Sequence, residues 1–357
     1  MNKTRVELGP RSYDVVSGAN ALDQLPALLA ALGVFERTLV ITDSNVHEAH
    51  GGRLDILANQ TQLFKTSIAP GEASKSIESA HRLLNEMTGL GMRRGDLIVA
   101  YGGGVVGDLA GFVASVYLRG IAFIQVPTTL LGQVDASVGG KTGVNLTLGK
   151  NLVGTFHQPS LVVADTTLLE TLPEREFISG MAEVVKYGLC FGGNLFDLLT
   201  TALGKAISRD VAVVGQIVAL CIASKAAVVA NDETDLSARA VLNYGHTFGH
   251  ALEAWAGYGR FRHGEAISIG MMFAAGIARN MGLLDSDAHL IHEQMLGGVG
   301  LPLNAKFDRK SLAEYWSRDK KHQTHPRWVL LHKIGYPQLH SDVTDEAIQT
   351  AFDEVSA

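Results

Sequence analysis

The segment GDLIVAYGGGVVGDLAGF (Gly95–Phe112) predicts a strand–turn–helix unit in the first half of the chain. It joins a hydrophobic run to a glycine-rich turn and an apolar helix start, and Gly102, Gly104 and Gly107 satisfy G-x-G-x-x-G. Glycines in such a turn let backbone N–H groups approach a pyrophosphate, while the helix N-terminus supplies partial positive charge. The motif alone is weak, because an ordinary glycine-rich turn in an α/β sheet has the same pattern.

Short β-rich runs alternate with helical patterns around this segment, and they indicate a doubly wound, mostly parallel sheet. The predicted strands are Arg5–Leu8, Tyr13–Ser17, Thr38–Thr42, Leu63–Ile68, Leu97–Tyr101, Phe123–Val126 and Leu161–Ala164. Helical patterns lie at Leu22–Leu32 and Ser76–Leu90. We therefore expect a Rossmann-like α/β domain over residues 1–170.

The pattern changes after about Leu168, where long segments with helical period begin near Pro173. They predict a mainly α-helical domain over residues 171–357. Its predicted helices are Glu174–Leu189, Leu195–Leu203, Asp210–Ala230, Ala238–Trp255, Gly264–Met281 and Thr344–Val355. One late strand is expected at Trp328–His332.

Composition narrows the function classes. The chain has 357 residues, 46% of them hydrophobic, and a net charge of −6 without a basic stripe, so we expect neither nucleic acid nor an anionic membrane as partner. Two cysteines, Cys190 and Cys221, in apolar helical context fit a reducing cytoplasm. The N-terminus lacks an apolar signal core, and the longest uncharged helical run, Val211–Ser224, is too short to span a bilayer.

The acidic partner of a dinucleotide site is in an unusual place. It ordinarily follows the glycine motif by about 20 residues, but the candidate here, Asp43 in TLVITD, precedes it. Glu72 and Lys75, in the segment APGEASKS, lie on another predicted strand-to-helix loop. We expect a variant nucleotide site at the carboxyl ends of these strands.

A second glycine-rich stretch, Gln125–Pro159, carries cations and amides with little helical period. Its GGKTG segment is not a phosphate-binding P-loop, since Asp135 occupies the position of the required first glycine. Lys141 and Lys150 in such a stretch are suited to an anionic substrate, with phosphate the obvious candidate.

A metal site is predicted in the second half. His246 and His250 lie four residues apart and share a helix face, and His263 and Glu265 follow after an aromatic, glycine-rich loop. Thr247 replaces the glutamate of H-E-x-x-H, which argues against a metalloprotease.

A further ligand is expected from a remote helix, where Glu183 and Lys186 lie three residues apart in SGMAEVVKYG. A catalytic zinc takes three protein ligands and keeps one position open. Spacing alone leaves open which of His246 and His250 binds the metal. A nucleotide, a metal and several cations together indicate oxidation chemistry on an alcohol of a phosphorylated substrate.

Several long motifs occur in order: GGGVVGDLAGFVAS, RGIAFIQVPTTLLGQVDASVGGKTGVN, GKNLVGTFHQP, MAEVVKYG, RAVLNYGHTFGHALE, HGEAISIGM and DKK. From about Thr38 to Gly335 the chain closely resembles the 3-dehydroquinate synthase family of sugar phosphate cyclases. The resemblance implies an NAD-binding α/β domain, a helical metal-binding domain and a homodimer. It also implies conversion of 3-deoxy-D-arabino-heptulosonate 7-phosphate to 3-dehydroquinate and phosphate, through transient oxidation, phosphate elimination, reduction and intramolecular aldol closure.

The resemblance also assigns residues by motif. Zinc or cobalt is expected on Glu183, His246 and His263, which leaves His250 on the substrate side. The expected catalytic residues are Lys141, Lys186, Arg239, Asn243, His250 and Glu253. Substrate contacts are expected from Arg119, Asp135, Lys141, Lys150, Asn151, Lys225, Arg239, Asn243, Lys320 and Lys321. Cofactor contacts are expected from Asp43, Asn45, Glu72, Lys75, Gly103, Gly104, Val105, Asp108, Thr128, Thr129, Lys141 and Lys150.

Three alternatives stay open at this point. A sister cyclase would close another sugar phosphate, and a metal-dependent polyol dehydrogenase of similar architecture would release NADH. A non-enzymatic metal-binding or nucleotide-sensing module would give no reason for Asp135, Lys141 and Lys150 to occur together.

Overall fold

The computed structural model describes residues 1–147, 149–236, 238–257, 259–312, 315 and 327–356. The chain forms two compact units: Met1–Pro173 with Val214–Thr234, and Glu174–Val213 with Asp235–Ala357. This division differs from the expected bounds of 1–170 and 171–357 because it places Val214–Thr234 in the first unit. Lys225 in that segment donates to the carboxylate and carbonyl oxygens of Asp135 at 2.6 and 2.7 Å.

Among the described residues, the first unit contains nine strands, four complete α-helices and most of a fifth. The strands are β1 (Asn2–Val6), β2 (Tyr13–Gly18), β3 (Arg37–Asp43), β4 (Gln62–Ile68), β5 (Leu97–Gly102), β6 (Ala122–Pro127), β7 (Lys141–Leu146), β8 (Gly149–Phe156) and β9 (Leu161–Asp165). The helices are α1 (Leu25–Leu32), α2 (Ser44–His50), α3 (Ile77–Gly89), α4 (Gly104–Val116) and α7 (Val211–Asn231).

Seven strands form one sheet in the order β1-β2-β9-β6-β5-β3-β4. All neighbours are parallel except β1, which pairs antiparallel with β2 at the edge. The expected mostly parallel sheet is therefore confirmed. The predicted strand bounds agree to within one residue at each end, except that β1 begins three residues and ends two residues earlier than expected. Its interior strands are buried on both faces, as strands covered by helices must be.

Alternate residues of the same strand enter different cores. Leu39 and Ile41 pack under α3 and α4, whereas Val40 between them packs on the opposite face with Leu25 of α1. Burial of apolar side chains on both faces fixes the strand register, because a slip of one residue would exchange the two sets.

Part of the glycine-rich stretch Gln125–Pro159 forms a β-hairpin. Strands β7 and β8 pair antiparallel over Lys141–Leu146 and Gly149–Phe156. A Cβ at Gly143 would come within 2.7 Å of the Val153 carbonyl oxygen, and one at Gly154 within 2.3 Å of the Thr142 carbonyl oxygen. The two strands approach closely only because glycine occupies both positions, and the same glycines hide the usual alternation of a strand.

The second unit is mainly helical, as expected. Its elements are α5 (Glu174–Phe191), α6 (Gly193–Ile207), α8 (His246–Trp255), α9 (His263–Asn280), α10 (Ser286–Val299), α11 (Asp345–Val355) and the hairpin of β10 (Trp328–Leu331) and β11 (Pro337–His340). Helix α9 is buried at Gly264 and from Ala266 to Ala278, and it packs against α5, α8, α10, α11 and β10. The sequence pattern did not predict α10 or β11.

The single helix predicted over Ala238–Trp255 is wrong. A 3-10 helix covers Ala238–Asn243, and α8 begins at His246 after a turn at Gly245. Gly245 has φ of +78°, and a Cβ there would lie 2.8 Å from the Met271 backbone nitrogen. Glycine satisfies both constraints, and the turn sets the direction in which α8 leaves.

Helix α7 is longer than the uncharged run Val211–Ser224, which is predicted to be too short to span a bilayer. It covers 21 residues, and within the described chain it is long and apolar enough to cross a bilayer by length and composition. Lys225 interrupts the run and is buried against Asp135. These contacts fit a partly buried core helix of a folded unit, since a lysine at the centre of a bilayer is costly.

Candidate metal and cofactor sites

Three predicted metal ligands meet in the second unit. Glu183 on α5, His246 at the start of α8 and His263 at the start of α9 have ligand atoms that all lie within 4.8 Å of one another. Glu183 Oε1 is 3.4 Å from Nε2 of His246 and 3.4 Å from Nε2 of His263. Ligand atoms at about 2.0–2.1 Å from a tetrahedral zinc are about 3.3–3.4 Å apart, so the spacing fits such an ion.

Close helix packing creates this spacing. A Cβ at Gly264, next to His263, would lie 1.9 Å from the Ser179 carbonyl oxygen, one turn before Glu183 on α5. The Gly264 N–H also donates to Ser179 Oγ at 2.9 Å. Glycine at this point lets α9 approach the α5 backbone and brings the imidazole to the carboxylate.

The surrounding hydrogen bonds indicate that each histidine would bind a metal through Nε2. His246 Nδ1 lies 3.1 Å from the Tyr244 carbonyl oxygen, to which only a protonated nitrogen can donate, so Nε2 keeps its lone pair. His263 turns Nε2 toward Glu183 and Nδ1 toward Glu253 Oε2 at 3.5 Å. A metal-binding histidine ordinarily donates its second nitrogen to a carbonyl or carboxylate, and both residues follow this rule.

The electrostatics also favour a cation. Burial lowers the pKa of His246 to about 3, so its ring is the neutral form that binds metals. Burial also opposes a charge on His263, but hydrogen bonds to and attraction by Glu183 and Glu253 outweigh it and raise the pKa to about 10. The two carboxylates thus require positive charge at His263, and a divalent ion would supply it in place of the proton.

His250, Glu253 and His263 form a second group with ligand atoms within 4.8 Å. The two groups share His263, and the pairing of its Nε2 with Glu183 favours the first group for the metal. His250 is exposed, with its ring centroid 5.1 Å from that of His246. Glu253 is buried. The side chain of His263 is 27% exposed, which leaves the metal cluster one open side.

Lys186 is buried beside the metal cluster. It forms an ion pair with Glu183 Oε2 and donates to the Leu242 carbonyl oxygen at 2.7 Å. A buried carboxylate keeps its charge only with such a partner, so Lys186 stabilises the ionised form of the ligand. Arg239 is also buried, whereas Asn243 is exposed at the end of the 3-10 helix.

The first unit contains the expected strand–turn–helix at the glycine motif. Gly103 is the N-cap of α4 and follows β5 directly. A Cβ at Gly102 would lie 2.5 Å from Val106, and one at Gly107 would lie 2.6 Å from Gln125 Oε1. These glycines make the turn tight and bring α4 against the sheet, which are the roles they have in dinucleotide sites.

The sheet order accounts for the early position of Asp43. Strands β3 and β5 are neighbours, yet chain connections leave them in opposite directions, so their carboxyl ends form a topological switch point. Asp43 ends β3 and Gly103 follows β5. Oδ1 of Asp43 also accepts from the N–H groups of Asn45 and Val46 and caps α2. Ligands of open α/β sheets bind at such a point.

Three residues from distant parts of the sequence, Lys75, Asp108 and Asn151, form a polar cluster in this unit. Lys75 Nζ lies 2.5 Å from both Asp108 Oδ2 and Asn151 Oδ1. Burial raises the pKa of Asp108, and Lys75 and Lys225 oppose that rise. Two expected cofactor residues thus lie beside expected substrate residues.

Asn145 is a member of this network that the site assignments missed. Its amide donates to Glu72 Oε1 at 2.8 Å, and its Oδ1 accepts from the Asn151 N–H at 2.9 Å. It belongs to β7, and its backbone bridges Ser76, with the Asn145 N–H donating to the Lys75 carbonyl oxygen at 2.8 Å. No local signal in the sequence singles it out from other asparagines.

The remaining assignments are placed individually. Lys141 begins β7 and is exposed, and Lys150 is half-buried on β8. Arg119 is exposed with φ of +69°, directly after Leu118 with φ of +49°. Two consecutive residues in this sparsely populated region are typical of functional segments. Val105 and Asp108 lie in the first turns of α4, and Thr128 and Thr129 directly follow β6. Lys320 and Lys321 lie outside the described residues.

Family models of the N-terminal and C-terminal parts of 3-dehydroquinate synthase match residues 65–179 and 180–322. The chain belongs to the 3-dehydroquinate synthase family. It is 44% identical to the 3-dehydroquinate synthase of Caulobacter vibrioides, over 97% of this chain and 96% of the relative. Both cysteines, Cys190 and Cys221, are buried.

Solved structures of sister cyclases have the same fold. A 2-deoxy-scyllo-inosose synthase complexed with carbaglucose-6-phosphate, NAD+ and Co2+ superposes with a TM-score of 0.91 at 29% identity, over 99% of this chain and 100% of the other. ValA, a 2-epi-5-epi-valiolone synthase from Streptomyces hygroscopicus subsp. jinggangensis 5008 with NAD+ and Zn2+ bound, gives 0.87 at 28% identity, over 98% and 97%. Identity is thus higher to the 3-dehydroquinate synthase than to either sister cyclase.

Proposed function

We propose that the chain converts 3-deoxy-D-arabino-heptulosonate 7-phosphate to 3-dehydroquinate and phosphate. Family membership over nearly the whole length supports this activity. The observation that carries the chemistry is the partly buried cluster of Glu183, His246 and His263, with Nε2 of each histidine 3.4 Å from Oε1 of Glu183. A sister cyclase is the second candidate, because the fold is shared at a TM-score of 0.91.

NAD would bind at the switch point of the sheet. Its pyrophosphate would contact the backbone at Gly103 and Gly104, and Asp43 would bind a ribose hydroxyl, as an acidic residue does at the end of a neighbouring strand. When bound, NAD supplies reversible oxidation of a substrate alcohol. Lys75 and Asp108, with their hydrogen-bonded neighbour Asn151, would fix the side chains around the cofactor.

Zinc or cobalt would be held by Glu183, His246 and His263. The ion supplies Lewis acidity, which lowers the pKa of a bound hydroxyl. Glu253 would hold the His263 ring through Nδ1, and Lys186 would keep Glu183 ionised. His250, exposed on α8 beside the metal cluster, is assigned to proton transfer with substrate.

The substrate carries a carboxylate and a phosphate, and the assigned cations suit both groups. Lys141 and Lys150 on the β7–β8 hairpin, with Arg119, are assigned to the anionic groups. Elimination of phosphate needs fixed positive charge where the leaving group's charge develops, and lysines on a paired hairpin provide it with little reorganisation. The family resemblance supports two further assignments for the chain, a homodimer and a cytoplasmic location.

The first experiment measures phosphate release from 3-deoxy-D-arabino-heptulosonate 7-phosphate with catalytic NAD and cobalt, while the NADH absorbance is followed. Stoichiometric phosphate without net NADH supports the proposal. Accumulating NADH would indicate a dehydrogenase. Protein that holds metal and NAD but releases no phosphate would direct attention to the sugar phosphates of the sister cyclases.

A pair of lysine variants tests the substrate assignment. Lys141→Ala should lose phosphate release by at least about a hundredfold, as removal of a charge-stabilising donor does, yet bind cobalt as the parent does. Lys3→Ala, which removes an exposed lysine paired with Asp14 at the surface, should behave like the parent. Equal activity of the two variants would contradict the role of Lys141. Light scattering of the same samples tests the dimer.

A further inference from the structure

We propose that His292 is a positioning residue for the metal ligand His246, acting through Tyr244. The inference rests on the proposed metal site and extends it to a helix that contributes no ligand. His292 lies on α10, 46 positions from His246 in the sequence, and no motif of the family resemblance includes it.

Hydrogen bonds at the two ends of Tyr244 connect His292 to His246. His292 Nδ1 lies 2.7 Å from the Ala288 carbonyl oxygen, so this nitrogen carries the proton and Nε2 has the lone pair. Tyr244 Oη lies 2.8 Å from Nε2 and therefore donates to it. The carbonyl of the same Tyr244 accepts from Nδ1 of His246. The direction of the Tyr244–His292 bond follows from the proton on Nδ1 of His292, and that of the His246–Tyr244 bond follows from the carbonyl oxygen, which can only accept.

Burial makes this series selective. Tyr244 and His292 are both fully buried, and the two rings meet edge to face with centroids 5.9 Å apart. A buried phenol hydroxyl without an acceptor is costly, so Tyr244 favours the one position in which its hydroxyl reaches His292. Burial lowers the pKa of His292 to about 4, which keeps its ring neutral and its Nε2 an acceptor at physiological pH.

The backbone around Tyr244 explains why an anchor is needed. Gly245 follows with φ of +78°, and α8 starts only at His246, so the Tyr244 carbonyl stands outside any helical hydrogen-bond ladder. Fixing the Tyr244 side chain at its far end fixes the peptide plane that orients His246. Outer partners of metal-binding histidines commonly change metal affinity by about 10–100-fold.

The test measures cobalt affinity of the metal-free full-length chain by competition with a chromophoric chelator, without NAD or substrate. His292→Phe should weaken cobalt binding about tenfold and alter the visible spectrum of bound cobalt. His292→Gln can place an amide oxygen where Nε2 lies and should stay within about threefold of the parent. His289→Phe, at a buried histidine on the same helix that pairs with Glu293, is the matched control and should bind like the parent.

Each outcome decides the proposal. Parent-like cobalt affinity in His292→Phe would overturn it, as would an equal loss in His289→Phe or in His292→Gln, since those results indicate general damage to α10. Thermal melting of each metal-free variant shows whether it is folded. If the phenylalanine variant is not, Tyr244→Phe removes the hydroxyl that bonds to His292 and should show the same loss, and parent-like affinity in that variant would overturn the proposal. Failure of the parent itself to bind cobalt would refute the metal site and not the role of His292 alone.

Discussion

Replacement of Gly264 by alanine should separate α9 from α5, the helices that carry the proposed metal ligands His263 and Glu183. The added Cβ would lie 1.9 Å from the carbonyl oxygen and 2.6 Å from the carbonyl carbon of Ser179, where real contacts of this kind are at least 3.0 Å. Both atoms belong to the α5 backbone, so no side-chain rotation relieves the clash. Helix α9 must therefore move by about 1 Å from α5, because packed interiors hold no spare volume.

The movement acts directly on the metal site. His263 precedes Gly264 on α9, and Glu183 lies one turn after Ser179 on α5. Metal–ligand distances tolerate only about 0.2 Å of deviation, so a shift of about 1 Å should reduce cobalt affinity at least about tenfold. Overpacking of this kind should also destabilise the second unit by about 1–3 kcal/mol.

Cobalt competition and thermal melting of the metal-free chain measure the two effects. Gly204→Ala is the matched control, since Gly204 lies inside α6 and a Cβ there meets nothing within 4 Å. That variant should leave cobalt affinity unchanged and gain about 0.5–1 kcal/mol from the better helix propensity of alanine. A Gly264→Ala protein with the melting temperature and cobalt affinity of the parent would refute the argument from close packing.

Three further predictions concern the second unit. Glu183→Gln should abolish cobalt binding at micromolar metal while the chain stays folded by circular dichroism, because the buried ligand loses its charge; retained tight binding would contradict the ligand assignment. The folded pKa of His292 lies near 4, below the ordinary 6.5, so its contribution to stability is complete above pH 6.5 and is lost as the pH falls toward 4. Urea midpoints over this range should therefore change less steeply with pH in His292→Gln than in the parent. Burial raises the pKa of the Cys190 thiol to about 12, so it should resist alkylation at pH 8 until the chain is unfolded; rapid labelling of folded protein would show it accessible.

Much of the cofactor site could be predicted locally. The turn at Gly102–Gly107 is a contiguous strand–turn–helix, and the sequence specifies it through strand propensity, glycine and an apolar helix face. The adjacency of Asp43 could not be predicted from separation along the chain, because it depends on strand order. Strand order depends on how the apolar faces of whole strands and helices pack together in the folded unit.

The hairpin and the outer partners of the metal ligands were missed for the same reason. Lys141 and Lys150 were found as cations in a glycine-rich stretch, but the glycines that let β7 and β8 approach removed the periodicity that identifies strands. His292 carries no motif, and its link to Tyr244 exists only because α10 packs in the core of the second unit.

Local periodicity and motifs with fixed spacing were enough to predict the class of both units and the family. The expected metal ligands came from the family resemblance, because spacing alone left His246 and His250 as alternatives. Tertiary packing sets the distances between residues of different motifs. Strand order brings Asp43 beside the glycine turn, and helix packing brings Glu183 Oε1 to 3.4 Å from Nε2 of both His246 and His263. The Tyr244 carbonyl oxygen determines that Nδ1 of His246 carries the proton. Distances between remote residues come from packing of whole faces, and no short window of sequence contains that information.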